Sequence, residues 1–304
     1  MRMDSILEAI GRTPLVRLRR MNPGPAEVWA KIEGMNPGGS AKDRPALSMV
    51  EAAEKDGRLK PGGTIVEATG GNTGVGLALV AAAKGYRCIL VCPRGTSAEK
   101  IAIMEAFGAD VRQTDPLADA ESPDGYIGTA RRIGAEAGNF LTDQFNNAAN
   151  PAAHIATTAE EILQDLDGRL DAFVACVGSG GTITGVGHAL KAKLPALRLI
   201  RVSPRGNAHG VAGQPTAIEG VSSFDPEERF EGCPPIDEIA EVADALAFET
   251  ASRLAREEAL LVGPSSGAAV AIALRLAAKL PSSSRIVALC PDTGRNYLSK
   301  PIGL

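Results

Sequence analysis

Short apolar runs alternate with longer stretches of helical periodicity along most of the chain. The apolar runs are bounded by Gly, Pro or polar turn residues, a pattern that predicts strands. The stretches between them repeat apolar residues three and four positions apart, which predicts helices. The predicted strands are 64–68, 88–92, 109–114, 172–177, 198–204 and 285–291. The predicted helices are 75–85, 97–109, 126–138 and 183–194.

This order of elements predicts an α/β fold with mostly parallel sheets. Strands that are apolar throughout, rather than alternating, are typical of parallel sheets covered by helices on both faces, which gives three layers. A chain of 304 residues is long enough for two such domains. The loop-like segments near residue 35 and at 145–151 are the predicted boundaries.

Composition and charge exclude several classes of function. The chain is 44% hydrophobic, and its formal net charge of −4 offers no basic surface for nucleic acid. No apolar run is long enough for a membrane span, and the first residues lack the apolar core of a signal peptide. We therefore expect a cytoplasmic protein without membrane or nucleic-acid partners. The five cysteines form no CxxC pair and the three histidines show no metal-ligand spacing, so no metal site is predicted.

Four Gly-rich segments lie where open α/β sheets bind ligands, at 68–74, 178–182, 263–267 and 292–294. The segment 178–182 follows a strand and precedes a helix, so its backbone N–H groups and the helix dipole favour an anion. Its glycine spacing does not match a dinucleotide fingerprint, and no lysine follows as in a nucleoside-triphosphate loop. A single phosphate bound by the backbone, Ser179 and Thr182 is one interpretation. An ordinary strand–helix turn is the other.

A lysine in the stretch NPGGSAKDR, residues 36–44, adds a second chemical feature. In a purely structural interpretation, Ser40 caps a helix, and Lys42 and Arg44 are solvated residues of its first turn. Cations there oppose the positive end of the helix dipole, however, which favours a chemical role for Lys42. A lysine with a chemical role, together with a site for a single phosphate, predicts pyridoxal 5′-phosphate bound as a Schiff base.

Six motifs in the chain resemble, in order, those of the cysteine synthase and cystathionine β-synthase family. They are NPGGSAKDR, EATGGNTGVGLAL, QFNNAANPAAH, VGSGGTITGVG, GPSSGAA and PDTGRNYLSK, and the resemblance runs from about Ile6 to Tyr297. It implies a fold like the tryptophan-synthase β-subunit. It also implies a larger cofactor-holding domain (1–34 and 145–304), a smaller mobile domain (35–144) and a homodimer.

The resemblance also assigns roles to individual residues. Lys42 is the catalytic residue, which holds the cofactor and then moves the α-proton of the substrate. The residues implied to bind the cofactor are Lys42, Asn72, Gly178, Ser179, Gly180, Gly181, Thr182 and Ser265, with Ser265 facing the pyridine nitrogen rather than Ser266. The residues implied to contact the substrate amino acid are Thr69, Gly70, Asn72, Thr73 and Gln144.

The implied reaction is β-replacement on an O-activated serine through an aminoacrylate intermediate. The leading hypothesis is cysteine synthesis from O-acetylserine or O-phosphoserine and sulfide. Alternatives are cystathionine formation from serine or O-acetylserine and homocysteine, and synthesis of another β-substituted alanine. Serine or threonine dehydration is a further alternative, although Ser40-Ala41-Lys42 differs from the Ser-Phe-Lys of those enzymes. A binding protein that keeps the fold is disfavoured, because Lys42 and the phosphate segment are both intact.

The chain departs from the family pattern at Gly70, where the usual motif Thr-Ser-Gly-Asn-Thr-Gly has serine. A hydroxyl expected near the substrate carboxylate is therefore missing, which leaves the donor open. The segment 219–233 also diverges from the substrate-facing loop of the family, so it does not specify the acceptor. The length is typical of stand-alone cysteine synthases, and we expect neither a regulatory tandem domain nor a heme-binding segment.

Overall fold

A computed structural model describes residues 2–204, 216–222 and 225–298. Parts of two segments named above, residues 223–224 and 299–300, lie outside this description. The strands are β1 Leu15–Arg17, β2 Glu27–Ile32, β3 Thr64–Ala68, β4 Arg87–Pro93, β5 Asp110–Thr114, β6 Asn139–Leu141, β7 Ala172–Cys176, β8 Arg198–Pro204, β9 Glu238–Val242 and β10 Arg285–Cys290.

Helices precede or follow most of these strands. They are α1 Asp43–Lys55, α2 Asn72–Lys84, α3 Ala98–Ala106, α4 Tyr126–Gly134, α5 Ala149–His154, α6 Glu160–Asp165, α7 Gly181–Lys193, α8 Pro226–Arg229, α9 Asp244–Glu258 and α10 Pro264–Ala277. A π-helical turn, Ile155–Ala159, joins α5 to α6. Short 3₁₀ helices occur at Ile6–Ala9, Glu33–Met35 and Gly294–Tyr297.

The chain divides into two compact units. The first unit comprises Met1–Ile10 and Asn36–Asn150, and the second comprises Gly11–Met35 and Pro151–Leu304. The predicted domains, 35–144 and 1–34 with 145–304, differ from these units at residues 1–10, 35 and 145–150. The mobility of the smaller domain stays a prediction.

The first unit contains a four-stranded parallel sheet in the order β5-β4-β3-β6. Neighbouring residues of β3 face opposite ways. Ile65 packs with the buried faces of α1 and α2, and Val66 packs with Ala130 and Ile133 of α4. Both faces of the sheet are therefore covered, which explains why this strand is apolar almost throughout.

The second unit contains a six-stranded sheet in the order β1-β2-β10-β7-β8-β9. Only the edge strand β1 is antiparallel to its neighbour; the other pairs are parallel. Phe173 and Val174 of β7 belong to different apolar clusters, so this sheet is also buried on both faces. The predicted α/β class with mostly parallel sheets is confirmed.

Strand β2, EVWAKI, was not among the predicted elements, and it contains a lysine at position 31. Lys31 is nonetheless fully buried. Its ammonium group lies 2.8 Å from Glu161 Oε2 and donates a hydrogen bond to Thr13 O at 2.7 Å. Because the ammonium group has these partners, a charged residue can be buried in a strand that hydropathy alone does not predict.

Candidate active site

Lys42 lies at the start of α1 in the first unit. Its backbone N–H donates to Ser40 Oγ at 3.2 Å, and the N–H of Gly38 donates to Asp43 Oδ2 at 2.5 Å. The helix begins at Asp43, so Lys42 itself occupies the N-cap position that the structural interpretation gave to Ser40. Asp43 then supplies the first-turn negative charge that the helix dipole favours.

The backbone of Lys42 lies close to α2. A Cβ added at Gly76 would lie 3.0 Å from Lys42 O and 3.1 Å from Ala46 Cβ, so α1 and α2 approach closely at this glycine. Gly76 is about one helical turn after Asn72, the first residue of α2. The first unit therefore holds Lys42 near the start of α2.

The Gly-rich segment between β3 and α2 is ordered by side-chain hydrogen bonds. Thr69 Oγ1 accepts the N–H of Gly71, the N-cap of α2, at 3.2 Å. The Thr73 hydroxyl donates to Gln144 Oε1 at 2.6 Å, and both side chains are buried. Three of the predicted substrate residues, Thr69, Thr73 and Gln144, are thus fixed in the first unit.

A buried carboxylate that the sequence analysis did not select supports this group. Glu67 Oε1 accepts the N–H of Ala68 at 2.9 Å, and Glu67 Oε2 accepts the N–H of Gln144 at 3.1 Å and the Thr142 hydroxyl. Burial raises the pKa of Glu67 to about 7, against the opposing effect of these hydrogen bonds. The signal available in the sequence was one acidic residue inside the apolar strand TIVEA.

We expect Glu67 to make stability depend on pH. Its pKa is about 7 in the folded protein and near 4.5 in an unfolded chain, so the protonated form stabilises the fold. That stabilisation is complete below pH about 4.5 and is lost as the pH rises through 7, by up to about 3 kcal/mol. Urea unfolding at pH 5.5 and 8 should show wild type losing more stability than Glu67→Gln over this interval.

Glu54→Gln provides the matched control. Burial acts to raise the pKa of Glu54, but the hydrogen bonds from Lys84 and Tyr86 and the charge of Lys84 together lower it, so this group titrates below the tested interval. Its variant should lose stability between pH 5.5 and 8 as wild type does. Equal losses in wild type and Glu67→Gln would contradict the prediction, because they would show that Glu67 does not titrate between pH 5.5 and 8.

The second unit holds the predicted phosphate segment, which follows β7 and opens α7. Gly180 is the N-cap of α7 and has φ +94°, in the left-handed region that favours glycine. Ser179 and Thr182 are buried, and Thr182 Oγ1 lies 3.2 Å from His154 Nε2. His154 Nδ1 in turn lies 2.9 Å from Thr158 Oγ1.

The backbone around Ser222 packs directly on the first residue of this loop. The N–H of Ser222 donates to Val177 O at 2.7 Å, and its hydroxyl donates to Gly178 O at 2.6 Å. A Cβ on Gly178 would lie 2.5 Å from Gly220 O. The close approach of this backbone requires glycine at position 178.

Ser265 lies at the start of α10, whose N-cap is Gly263 and whose first residue is Pro264. The Cys176 thiol, at the end of β7, donates to Ser265 O at 3.3 Å, so α10 starts beside the strand that leads into the phosphate segment. Ser266 is fully buried beside Cys290. Burial raises the pKa of Cys290 to about 12, and the Ser266 hydroxyl opposes that rise.

Comparison with known proteins identifies the family. A family model described as "Pyridoxal-phosphate dependent enzyme" matches residues 6–292. The chain belongs to the pyridoxal-phosphate-dependent enzyme family. Its cofactor is therefore pyridoxal 5′-phosphate, as predicted.

Relatives of this pyridoxal-phosphate-dependent enzyme include cystathionine beta-synthases and a cysteine synthase. Cystathionine beta-synthase of Oryctolagus cuniculus is 43% identical, with 98% of this chain and 56% of that protein aligned. Cysteine synthase of Staphylococcus aureus (strain Mu50 / ATCC 700699) is 40% identical, with 99% and 97% aligned. The crystal structure of an O-acetylserine dependent cystathionine beta-synthase from Helicobacter pylori has a TM-score of 0.91 and 39% identity, covering 100% of both chains.

These comparisons confirm the resemblance to cysteine synthases and cystathionine β-synthases. The chain spans about half the length of the cystathionine beta-synthase relative. The described residues contain no helix long and apolar enough to cross a membrane. Within the same residues, no group of three His, Cys, Asp or Glu side chains is placed to bind a metal.

The second unit fits the phosphate of the cofactor. In the segment 178–182, Gly180 has a left-handed backbone conformation, and the nearby backbone leaves no room for a side chain at Gly178. The segment also carries two buried hydroxyl groups, those of Ser179 and Thr182. It leads into α7, a helix of 13 residues whose first N–H groups and dipole favour a phosphate dianion. The roles of the individual residues stay predictions.

Proposed function

We propose that this pyridoxal-phosphate-dependent enzyme is a cysteine synthase that replaces the β-substituent of O-acetylserine or O-phosphoserine with sulfide. The observation that carries the proposal is the group in the first unit formed by Lys42, Thr69, Thr73 and Gln144. Buried hydroxyl and amide groups fixed beside the start of α2 suit the carboxylate and amino groups of a small amino acid. The 40% identity to a cysteine synthase over nearly the whole of both chains supports the same substrate class.

Each predicted residue has a role in this proposal. The bound cofactor supplies an aldehyde for a Schiff base and an electron sink for the α-carbon. Lys42 holds the cofactor, removes the proton from the α-carbon and later returns it. When the cofactor is bound, Ser265 would face the ring nitrogen and Asn72 the phenolic oxygen. The segment from Gly178 through Ser179, Gly180 and Gly181 to Thr182 would hold the phosphate.

A serine partner for the ring nitrogen has a chemical consequence. A neutral hydroxyl at Ser265 does not hold a proton on the ring nitrogen as a carboxylate does. The electron sink is then weaker, which favours prompt loss of a β-leaving group over racemisation or transamination. The residue type at position 265 is therefore consistent with β-replacement.

Cystathionine formation with homocysteine as acceptor is the second candidate. It is favoured by the 43% identity to the rabbit enzyme and by the similarity to the Helicobacter pylori structure. The two candidates share the donor half of the reaction and differ in the nucleophile. Synthesis of another β-substituted alanine shares the donor half as well. Serine or threonine dehydration differs because it releases a keto acid.

The test is the visible absorption of the purified holoenzyme, first with O-acetylserine or O-phosphoserine alone. We expect a stable change in the spectrum, which sulfide then reverses as cysteine forms. Faster reversal by homocysteine would assign the enzyme as a cystathionine synthase. Keto-acid release at the turnover rate without any nucleophile would assign a dehydratase. A spectrum that responds to neither donor nor to serine would overturn β-replacement.

We also propose, from the family resemblance, that the enzyme is a cytoplasmic homodimer. Light scattering on the purified full chain should give twice the monomer mass of 31.4 kDa. A monomeric mass at micromolar concentration would contradict the proposed homodimer without affecting the proposed reaction.

A further inference from the structure

The space beside Gly70, where the family pattern has a serine, is already filled. A Cβ built at Gly70 would lie 2.5 Å from Thr96 Cγ2, 2.6 Å from Thr96 Oγ1 and 3.0 Å from Cys92 Cβ. The backbone of Gly70 is outside the left-handed region, so packing rather than conformation excludes a side chain. The adjacent Gly71 is different, because the nearest atom to its added Cβ is 3.9 Å away.

Thr96 is fixed by its own surroundings. It follows β4, and its hydroxyl donates to Pro93 O at 2.8 Å. A β-branched side chain has few χ1 rotamers, so moving it away from Gly70 would break that hydrogen bond. Gly70 and Thr96 are therefore mutually dependent, since a serine at 70 requires a smaller residue at 96.

The hydroxyl of Thr96 lies within reach of the position that a serine hydroxyl at 70 would take. Threonine carries one hydroxyl proton, which rotates about the Cβ–Oγ1 bond to suit its acceptor. That proton points to Pro93 O in the structure. Rotation alone would direct it toward a carboxylate beside Gly70, with no change of χ1.

We propose that Thr96 supplies the hydroxyl that residue 70 lacks and positions the carboxylate of the amino-acid donor. This rests on the proposed function, because it assigns the carboxylate of that substrate to the Gly70 side of the segment 69–73. Thr96 is a specificity-determining residue in this view. Its methyl group also narrows the space beside the donor.

Two substitutions separate the hydroxyl from the packing. Thr96→Val keeps the shape of the side chain and removes the hydroxyl, whereas Thr96→Ser keeps the hydroxyl and removes the methyl group. The quantity to compare among these variants is the dissociation constant of O-acetylserine, obtained from the absorption change of the holoenzyme. Loss of one hydrogen bond to a charged group should weaken binding by about tenfold in Thr96→Val. Thr96→Ser should stay within about threefold of wild type.

The packing of residue 70 against residue 96 is tested separately, by the melting temperature of the protein without substrate. Gly70→Ser should lower the melting temperature, and Gly70→Ser with Thr96→Ala should restore most of it, because alanine clears both nearest atoms. Gly71→Ser is the matched stability control, since its side chain has open space. The double variant should also bind O-acetylserine within about threefold of wild type, because the introduced serine restores a hydroxyl.

The outcomes distinguish the two proposals. A wild-type enzyme whose spectrum responds to O-acetylserine, together with equal affinity in Thr96→Val, would overturn the role of Thr96 and leave the proposed function intact. No response to O-acetylserine, O-phosphoserine or serine in wild type would overturn the proposed function and the role of Thr96 with it. Equal melting temperatures for Gly70→Ser and wild type would overturn the mutual packing.

Discussion

Replacing Lys42 with alanine is expected to lower the rate of β-replacement by about 10³-fold or more. The reason is that Lys42 is proposed both to hold the cofactor and to move the α-proton, and a positioned general base alone contributes about 10²–10⁴-fold. Initial rates of cysteine formation from O-acetylserine and sulfide measure the effect. The fold should persist, because the Lys42 side chain makes no capping hydrogen bond to α1.

Lys60→Ala is the matched control, since Lys60 is exposed in the same unit. Its rate should equal that of wild type. Borohydride reduction followed by peptide mapping gives an independent readout, with the cofactor fixed to the peptide that carries Lys42. A Lys42→Ala enzyme that keeps the wild-type rate, or a cofactor fixed to another lysine, would contradict the assignment.

Gly180→Ala is expected to weaken cofactor binding by at least about tenfold. Gly180 has φ +94°, where a Cβ adds strain of about 1–2 kcal/mol, and that Cβ would also lie 3.1 Å from Pro226 Cβ. The backbone then shifts at the N-terminus of α7, where the phosphate is proposed to bind. Titration of the apoenzyme with pyridoxal 5′-phosphate measures the loss.

Gly168→Ala separates this effect from strain alone. Gly168 also has a left-handed φ, +69°, in the same unit, and nothing lies within 4 Å of its added Cβ. Its variant should lose stability and keep wild-type affinity for the cofactor. A Gly180→Ala enzyme with unchanged affinity would place the phosphate elsewhere.

The local pattern of the sequence predicted many of the elements near the candidate site. β3 and β8 were predicted with the bounds observed, and the other predicted strands overlap β4, β5, β7 and β10. β3, β7 and β10 are mainly apolar because helices cover both faces of each sheet, so burial leaves a signal in the sequence itself. Strand β6, at Asn139–Leu141, was not predicted because three residues give too short a pattern.

Long-range contacts account for what the sequence analysis did not predict. By residue type, Lys31 is predicted to be exposed, but in the structure it is buried with Glu161 and Thr13 as partners of its ammonium group. The position of Glu67 in an apolar strand is explained by the hydrogen bonds that the Thr142 hydroxyl and the Gln144 N–H donate to its carboxylate. In each case the partners are distant in sequence, and no local periodicity indicates the contact.

The sequence alone determined the family, the cofactor and the α/β class, because ordered motifs and burial periodicity are properties of the chain. It also predicted Lys42, the phosphate segment and the departure at Gly70 as features of interest. Only the tertiary structure decided that Lys42 is the N-cap of α1, that a carboxylate with a pKa of about 7 supports Gln144, and that Thr96 fills the space at Gly70. The physical reason is that burial and packing distances arise from segments which meet only when the chain has folded.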